Sequence, residues 1–377
     1  LALGLLVWVL RREIAQPLAD RPAWERNPSV AYGKLGDLAL SREVDTPADV
    51  AAARGWYERA LAIDQRLVAR DAANRVWQRD LLISQQRLGD LEFDADRLQA
   101  AQSQYAASLM LAEALAQDPH DVLATRDRLA AYARLGSLEA RTGNFDAARE
   151  RYAQALLLAD TLARDSRDTL ARHDLLATTL ALADMEKRGQ QAGAARVHYL
   201  RAMALAQSLA QDPRDAAAQR GLALSLIHLG HMAYADWDPD HWHPPLADDA
   251  GEARVHYEQA HDAAERLADH ELGDLRLELC ISLWRLADLR LAEPDGLADA
   301  RRALQQALKL ARRAGPSAQW QRAQLKVLLD LGGLEARDRQ YQTARGYYAE
   351  AATWAQNAED QAAVRAGMAA LPRTARK

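Results

Sequence analysis

Three features of this sequence predict an all-α chain of repeated helix pairs, a superhelical solenoid with about seven pairs and a period near 47 residues. A small residue follows leucine at Gly36, Gly89, Gly136, Ala183, Gly230, Ala287 and Gly332, at spacings of 53, 47, 47, 47, 57 and 45. A tyrosine stands 16 residues after it in the regular units, at Tyr105, Tyr152, Tyr199 and Tyr348. Ala and Leu dominate while β-branched residues are scarce, so no strand pattern competes. Self-similarity at a fixed period decides the architecture before any local reading does.

One unit shows how the pair arises. Residues 118–141 read as a helix, with Asp118 as its cap and Pro119 in its first turn, a device repeated at Asp212-Pro213. Gly143 stops that helix, because it adopts the left-handed conformation without penalty. Asn144 is placed to cap the second helix, which carries Ala148, Tyr152, Ala155, Ala159 and Leu162 on one face. A glycine inside a helix costs about 1 kcal/mol relative to alanine. Gly136 is therefore expected to admit a close approach of the two helices beside the Tyr152 ring. A pair cannot bury both of its faces, so stacked neighbours complete the core.

The order Tyr132, Leu135, Gly136, Ala148, Tyr152 and Ala155 resembles the tetratricopeptide repeat family, and the likeness extends over roughly residues 27–357. The unit here is longer than the family's 34 residues. In that length it is similar to the repeat tails of multidomain bacterial signalling proteins. The expected organisation is an apolar segment at 1–14, a proline-bearing linker at 15–28, and a repeat array at 29–357. An insertion falls at 236–246, and a helix remnant with a basic tail at 358–377.

Composition narrows the function. The net charge of −5 argues against a nucleic-acid partner, which demands a basic face. The single cysteine, Cys280, permits no intramolecular disulfide and, between Leu279 and Ile281, reads as a core thiol. No phosphate loop, nucleophile elbow, zinc-cysteine pair or H-E-x-x-H motif is present. The chain is therefore expected to be no enzyme, with no cofactor, no metal and no small-molecule substrate.

The run "LALGLLVWVL" is too short to span a bilayer alone, which takes about 20 apolar residues. Followed by Arg11 and Arg12, it reads as the end of a membrane helix with the repeats on the cytoplasmic side of the inner membrane. An apolar capping helix of the array is the other reading. Seven of the ten histidines fall between His228 and His270, and "YADWDPDHWHPPLADDAG" adds Asp236, Asp238 and Asp240. These are metal-ligand types without a closed ligand spacing, and they equally suit a polar loop with Trp237 and Trp242 at its edge.

The resemblance implies that the first helix of each pair lines a concave groove. Its groove positions carry over to Gln86, Asp90 and Phe93, then Arg141, then Leu180, Asp184 and Lys187. Ile227, His231 and Tyr234 follow, then Trp284, Asp288 and Leu291. The family's Lys and Asn clamp for carboxylate tails is absent, since Ala133, Leu180, Ile227 and Trp284 stand with Ser137, Asp184, His231 and Asp288. The groove so read suits a peptide or protein partner with apolar anchors and basic residues. Trp284 and Tyr234 are expected to flank one anchor pocket. Self-association that clusters an upstream effector domain is the alternative function.

Overall fold

The computed structural model describes residues 21–40, 46–117, 121–164, 167–234, 247–268, 272–273, 275–313 and 317–372. The segment 1–14, the tryptophans at 237 and 242, and the basic tail beyond 372 lie outside them. Among the described residues there are fifteen α-helices and no strand. The chain divides into two compact units, 1–190 and 191–377.

The first unit holds three antiparallel pairs and one further helix. The pairs are α1 (Arg21–Ala39) with α2 (Pro47–Arg70), α3 (Arg75–Asp94) with α4 (Leu98–Leu115), and α5 (Val122–Arg141) with α6 (Phe145–Leu162). Helix α7 (Thr169–Arg188) packs on α6. The second unit begins with α8 (Ala192–Leu209). It continues with α9 (Ala216–Ala233) and α10 (Ala247–Ala264), α11 (Leu275–Leu291) and α12 (Leu297–Arg312), and α13 (Ala318–Arg337) and α14 (Tyr341–Trp354). Helix α15 (Ala358–Ala370) packs on α14 and α13.

The glycine of each pair meets the tyrosine of its partner helix. A Cβ built on Gly89, Gly230 or Gly332 would lie 2.6 Å from a ring carbon of Tyr105, Tyr257 or Tyr348, and at Gly136 it would lie 3.1 Å from Tyr152. No real side chain fits such a gap without moving the ring. Where the small residue is Ala287, the partner position holds Leu304 instead of a ring, and both lie in one core cluster. There the extra methyl meets a narrower partner, whereas Ala183 is followed at the regular spacing by Tyr199.

Four of the tyrosine hydroxyls are tied down as well, each to the residue just after the glycine. Tyr57 donates to Asp37 at 2.9 Å and Tyr105 to Asp90 at 2.8 Å. Tyr152 shares a 2.8 Å hydrogen bond with Ser137, and Tyr257 meets Nδ1 of His231 at 2.7 Å.

Successive first helices are joined by charge. Arg26 donates to Asp80, Arg79 to Asp127 at 3.0 Å, and Arg126 to Asp174 at 3.2 Å. Each Arg-Asp dipeptide thus reaches forward with its arginine and receives from behind with its aspartate. Arg134 grips Asp90 with two bonds of 2.8 and 2.9 Å, and Arg87 reaches Asp37 at 2.7 Å.

Three local expectations need correction. The helix expected from residue 118 starts at Val122, and its cap is Asp121, which accepts from the Ala124 amide at 3.0 Å. Asp215 does the same for α9, because Asp212-Pro213 closes its own turn first: Asp212 Oδ1 accepts from the Arg214 amide at 2.9 Å. Asn144 stands at the expected cap position of α6 but donates to Glu139 at 3.0 Å instead of capping. Residues 21–28 of the expected linker form the first turns of α1, with Pro28 inside the helix. Pro22 stands near its start, where the missing N–H has no helical partner to lose. Gly143 does stop α5, at φ +84°, while Asp96 and Arg339 take the same left-handed turn elsewhere.

The Asp121 cap makes a prediction. The backbone amide of Ala124 holds the Asp121 carboxyl below its ordinary range, with Arg75 adding to the effect. A carboxyl lowered by folding stabilises above its unfolded pKa, and that stability is lost as pH falls through the folded value. Asp121→Ala should therefore cost about 1 kcal/mol near neutrality. In denaturant titrations the deficit should shrink below about pH 4, where the wild-type cap is itself protonated.

Candidate functional site

The first-helix faces are described unit by unit. In the first unit, Arg134 and Tyr105 already occupy the carboxylate of Asp90, so this acidic group is committed inside the array. Gln86 is buried in α3 and presents no groove surface. Arg141 is exposed, and its guanidinium lies 5.4 Å over the Phe93 ring. Leu180, Asp184 and Lys187, one turn apart along α7, are half-buried. The accessible remainder is Phe93 with Arg141, then Leu180, Asp184 and Lys187.

In the second unit the expected anchor pocket is filled. Ile227, His231 and Tyr234 are all buried. Arg285, three residues before Asp288 on α11, is buried too, stacks 5.1 Å over the Tyr234 ring and approaches Nδ1 of His231 at 3.2 Å. His231 Nε2 lies 3.5 Å from a carboxylate oxygen of Glu278. This is a polar seam between α9 and α11, not a docking surface. Trp284 is half-buried, donates its indole N–H to Asp330 of α13, and has the Lys326 ammonium 5.3 Å over its ring. Its neighbours explain the position: a wide ring at the seam between α11 and α13 fills space between first helices. Asp288 is half-buried, and Asp184 belongs to the other unit.

The histidines divide similarly. His228 packs at 4.8 Å on the Tyr199 ring and is buried with His231. His241, His243 and His270 lie outside the described residues. On α10 and just beyond it, ligand atoms of His261, Asp262 and Glu265 lie within 4.8 Å of one another at the surface. Acidic groups at that spacing are common on exposed helices. Cys280 is buried, donates to the Ala307 carbonyl at 3.4 Å, and burial pushes its thiol up to about 12.

Two features escaped the sequence. Between α10, α11 and α12 lies a cleft of about 330 Å³, floored by Leu267, Leu272, Leu279 and Leu283 and rimmed by His261, Glu265, Lys309 and Arg313. In the first unit, Val76, Leu123 and Leu170 are exposed at the second position of α3, α5 and α7, spaced 47 residues apart. Arg75 bonds Asp121 at 2.8 Å and Arg126 bonds Asp168 at 3.3 Å, which sets those helix starts side by side. The three side chains form an apolar row along one edge of that unit. No described helix is long and apolar enough to cross a membrane.

The sequence matches no family model and no curated protein. Solved structures do resemble it. BtubC (BKLC) from P. vanneervenii aligns at 20% identity over 72% of this chain and 95% of its own, with a TM-score of 0.51. The S. pombe nuclear import adaptor Nro1 aligns at 14% identity over 80% and 98%, with a TM-score of 0.51. A STAND-class signal-transduction ATPase with a tetratricopeptide repeat sensor, from Pyrococcus horikoshii, aligns at 12% over 94% and 56%, with a TM-score of 0.50. At these identities the likeness is one of fold: an all-α helical repeat of the tetratricopeptide type.

Proposed function

We propose that the chain is a protein-interaction scaffold that works by shape and side-chain burial, with a protein or peptide as its partner. The observation that carries this reading is the accessible part of the first-helix face in the first unit, where Phe93 under Arg141, and Leu180 two turns before Lys187 on α7, offer aromatic, aliphatic and cationic surface on rigid helices. A few aromatic, aliphatic and Arg side chains of this kind dominate binding energy at protein interfaces. The internal commitment of Asp90 weakens the case for a strongly basic partner, so apolar anchors come first. Arg141→Ala and Leu180→Ala should each weaken capture of the partner at least tenfold while the melting temperature stays within about 2 °C, as expected for accessible positions. Met110→Ala, at an exposed position of the second helix α4, should leave capture intact. Unchanged capture by both groove variants would remove this face from the reading.

One observation favours self-association as a second reading: the exposed row of Val76, Leu123 and Leu170. Leu123→Asp should then convert an oligomer to monomer in light scattering without touching partner capture. Membrane attachment through residues 1–14, with the repeats on the cytoplasmic side of the inner membrane, is a separate proposal about the chain's placement. Fractionation of the host, followed by protease treatment of intact cells, tests it.

A further inference from the structure

One position of the repeat carries a base where other units carry an acid. The residue just after the small one is an aspartate at Asp37, Asp90, Asp184 and Asp288, but a histidine at His231. At Asp37 and at Asp90 the carboxylate accepts from two sides. The tyrosine of its own pair donates from one, Tyr57 or Tyr105, and an arginine of the next first helix from the other, Arg87 or Arg134. The seam between α9 and α11 keeps both donors, as Tyr257 and Arg285, and sets His231 between them.

The geometry selects one form of this histidine. Nδ1 lies 2.7 Å from the Tyr257 hydroxyl and 3.2 Å from an Arg285 nitrogen. A guanidinium can only donate, so Nδ1 meets it as a bare acceptor. The Arg285 guanidinium also faces the Tyr257 oxygen, which turns the tyrosine proton toward His231. The fitting ring is neutral, with its proton on Nε2, the atom 3.5 Å from a Glu278 oxygen. A second proton, on Nδ1, would oppose two donors and place a cation beside Arg285. Glu278 pulls the other way. Its side chain is 35% exposed and screened by water, whereas His231 and Arg285 are each 4% exposed. On α9 itself the His228 ring lies 6.2 Å away, and its protonation would add positive charge. Two phenols complete the surroundings: Tyr199 of α8, 4.8 Å from His228, and Tyr234 under Arg285. Burial and the nearest charge therefore both favour the neutral ring.

We propose that His231 makes the contact between α9 and α11 an acid-sensitive catch, closed while the ring is neutral and loosened when a proton reaches Nδ1. The carboxylates of Asp37 and Asp90 make the same contact without this sensitivity, because they hold their acceptors through neutral pH. Protonation of His231 is opposed in the closed seam and unopposed in the opened one. The seam is thus fully held above about pH 6.5, where an exposed histidine is neutral, and gives way as pH falls below it. Neighbours alone share contacts in a helical repeat, so one seam can loosen while the next holds.

Hydrogen exchange of the full chain at about pH 7.5 and about pH 5.5, corrected for the intrinsic pH dependence of amide exchange, tests it. Protection of α9 amides should fall about tenfold between the two, the most that one histidine supplies about one pH unit below its ordinary value. Protection of α13 amides should stay within about twofold, since they lie beyond the seam. His231→Asp restores the acid of the other units and should remove the fall. His231→Gln accepts at the same place without titrating and should remove it too. Unchanged α13 protection in both variants at the higher pH shows that they are folded. Protection of wild-type α9 that is flat across the interval overturns the proposal. A fall that persists in both variants overturns it as well, by moving the sensitivity to His228 or further away. A fall of equal size in α13 does the same, because the whole unit would then be unfolding.

Discussion

Gly230→Leu should cost about 3 kcal/mol or more, the upper end of the range for overpacked cores. The Tyr257 ring it would strike is buried and held by its hydroxyl to His231, so the ring cannot swing aside. His231 is in turn enclosed by Arg285, and yielding would disturb the whole seam between α9 and α11. Two controls frame the result. Gly55, inside α2, has nothing within 4 Å of its missing Cβ, so Gly55→Ala should stabilise by about 1 kcal/mol through helix propensity alone. Gln154→Leu, on the exposed face of α6, should change stability by less than about 0.5 kcal/mol. Denaturant unfolding of the three variants gives the comparison. Equal effects at Gly230 and Gly55 would mean that the glycine has no packing role.

Trp284→Ala should lose about 3 kcal/mol, the low end of the range for removing a buried aromatic, because the ring is only half covered. The loss has a polar component that pH exposes. Burial pushes the Asp330 carboxyl up, and the hydrogen bond from the indole N–H of Trp284 opposes it most strongly. A carboxyl raised by folding destabilises the protein above its unfolded pKa, and the penalty fades as pH falls through the folded value. Without the indole donor the folded value climbs further, so the variant suffers more at neutral pH. Its deficit relative to wild type should therefore narrow as pH falls from 7 toward 4. Partner capture should fall only in proportion to the unfolded fraction. A Trp284→Ala protein of unchanged stability would return this residue to the groove surface.

The helix pairs were legible because glycine, tyrosine and alanine recur at spacings that only one architecture satisfies. Gly136 with Tyr152, the stop at Gly143 and the buried thiol of Cys280 all follow from local pattern. The cap at Asp121 was missed by three residues because Asp-Pro announces a helix start, while the related Asp212-Pro213 turn uses that signal to close on itself. The groove was misjudged for a different reason. Sequence arithmetic finds the face of a helix but not what leans on that face, and the partners of His231, Trp284 and Asp90 lie 26 to 54, 46 and 15 to 44 residues away. The edge row of Val76, Leu123 and Leu170 was invisible since single apolar residues at helix starts carry no periodic signal until their helices are set side by side.

The claim that each glycine exists for its tyrosine ring is tested most directly by a double-mutant cycle at Gly89 and Tyr105. In the wild type a Cβ at Gly89 would sit 2.6 Å from the ring, so Gly89→Ala should destabilise despite alanine's better helix propensity. In a Tyr105→Leu background, which copies the Ala287 and Leu304 pairing, the same change should stabilise by up to about 1 kcal/mol. That reversal of sign is the predicted result. A cost of equal size in both backgrounds would contradict the account.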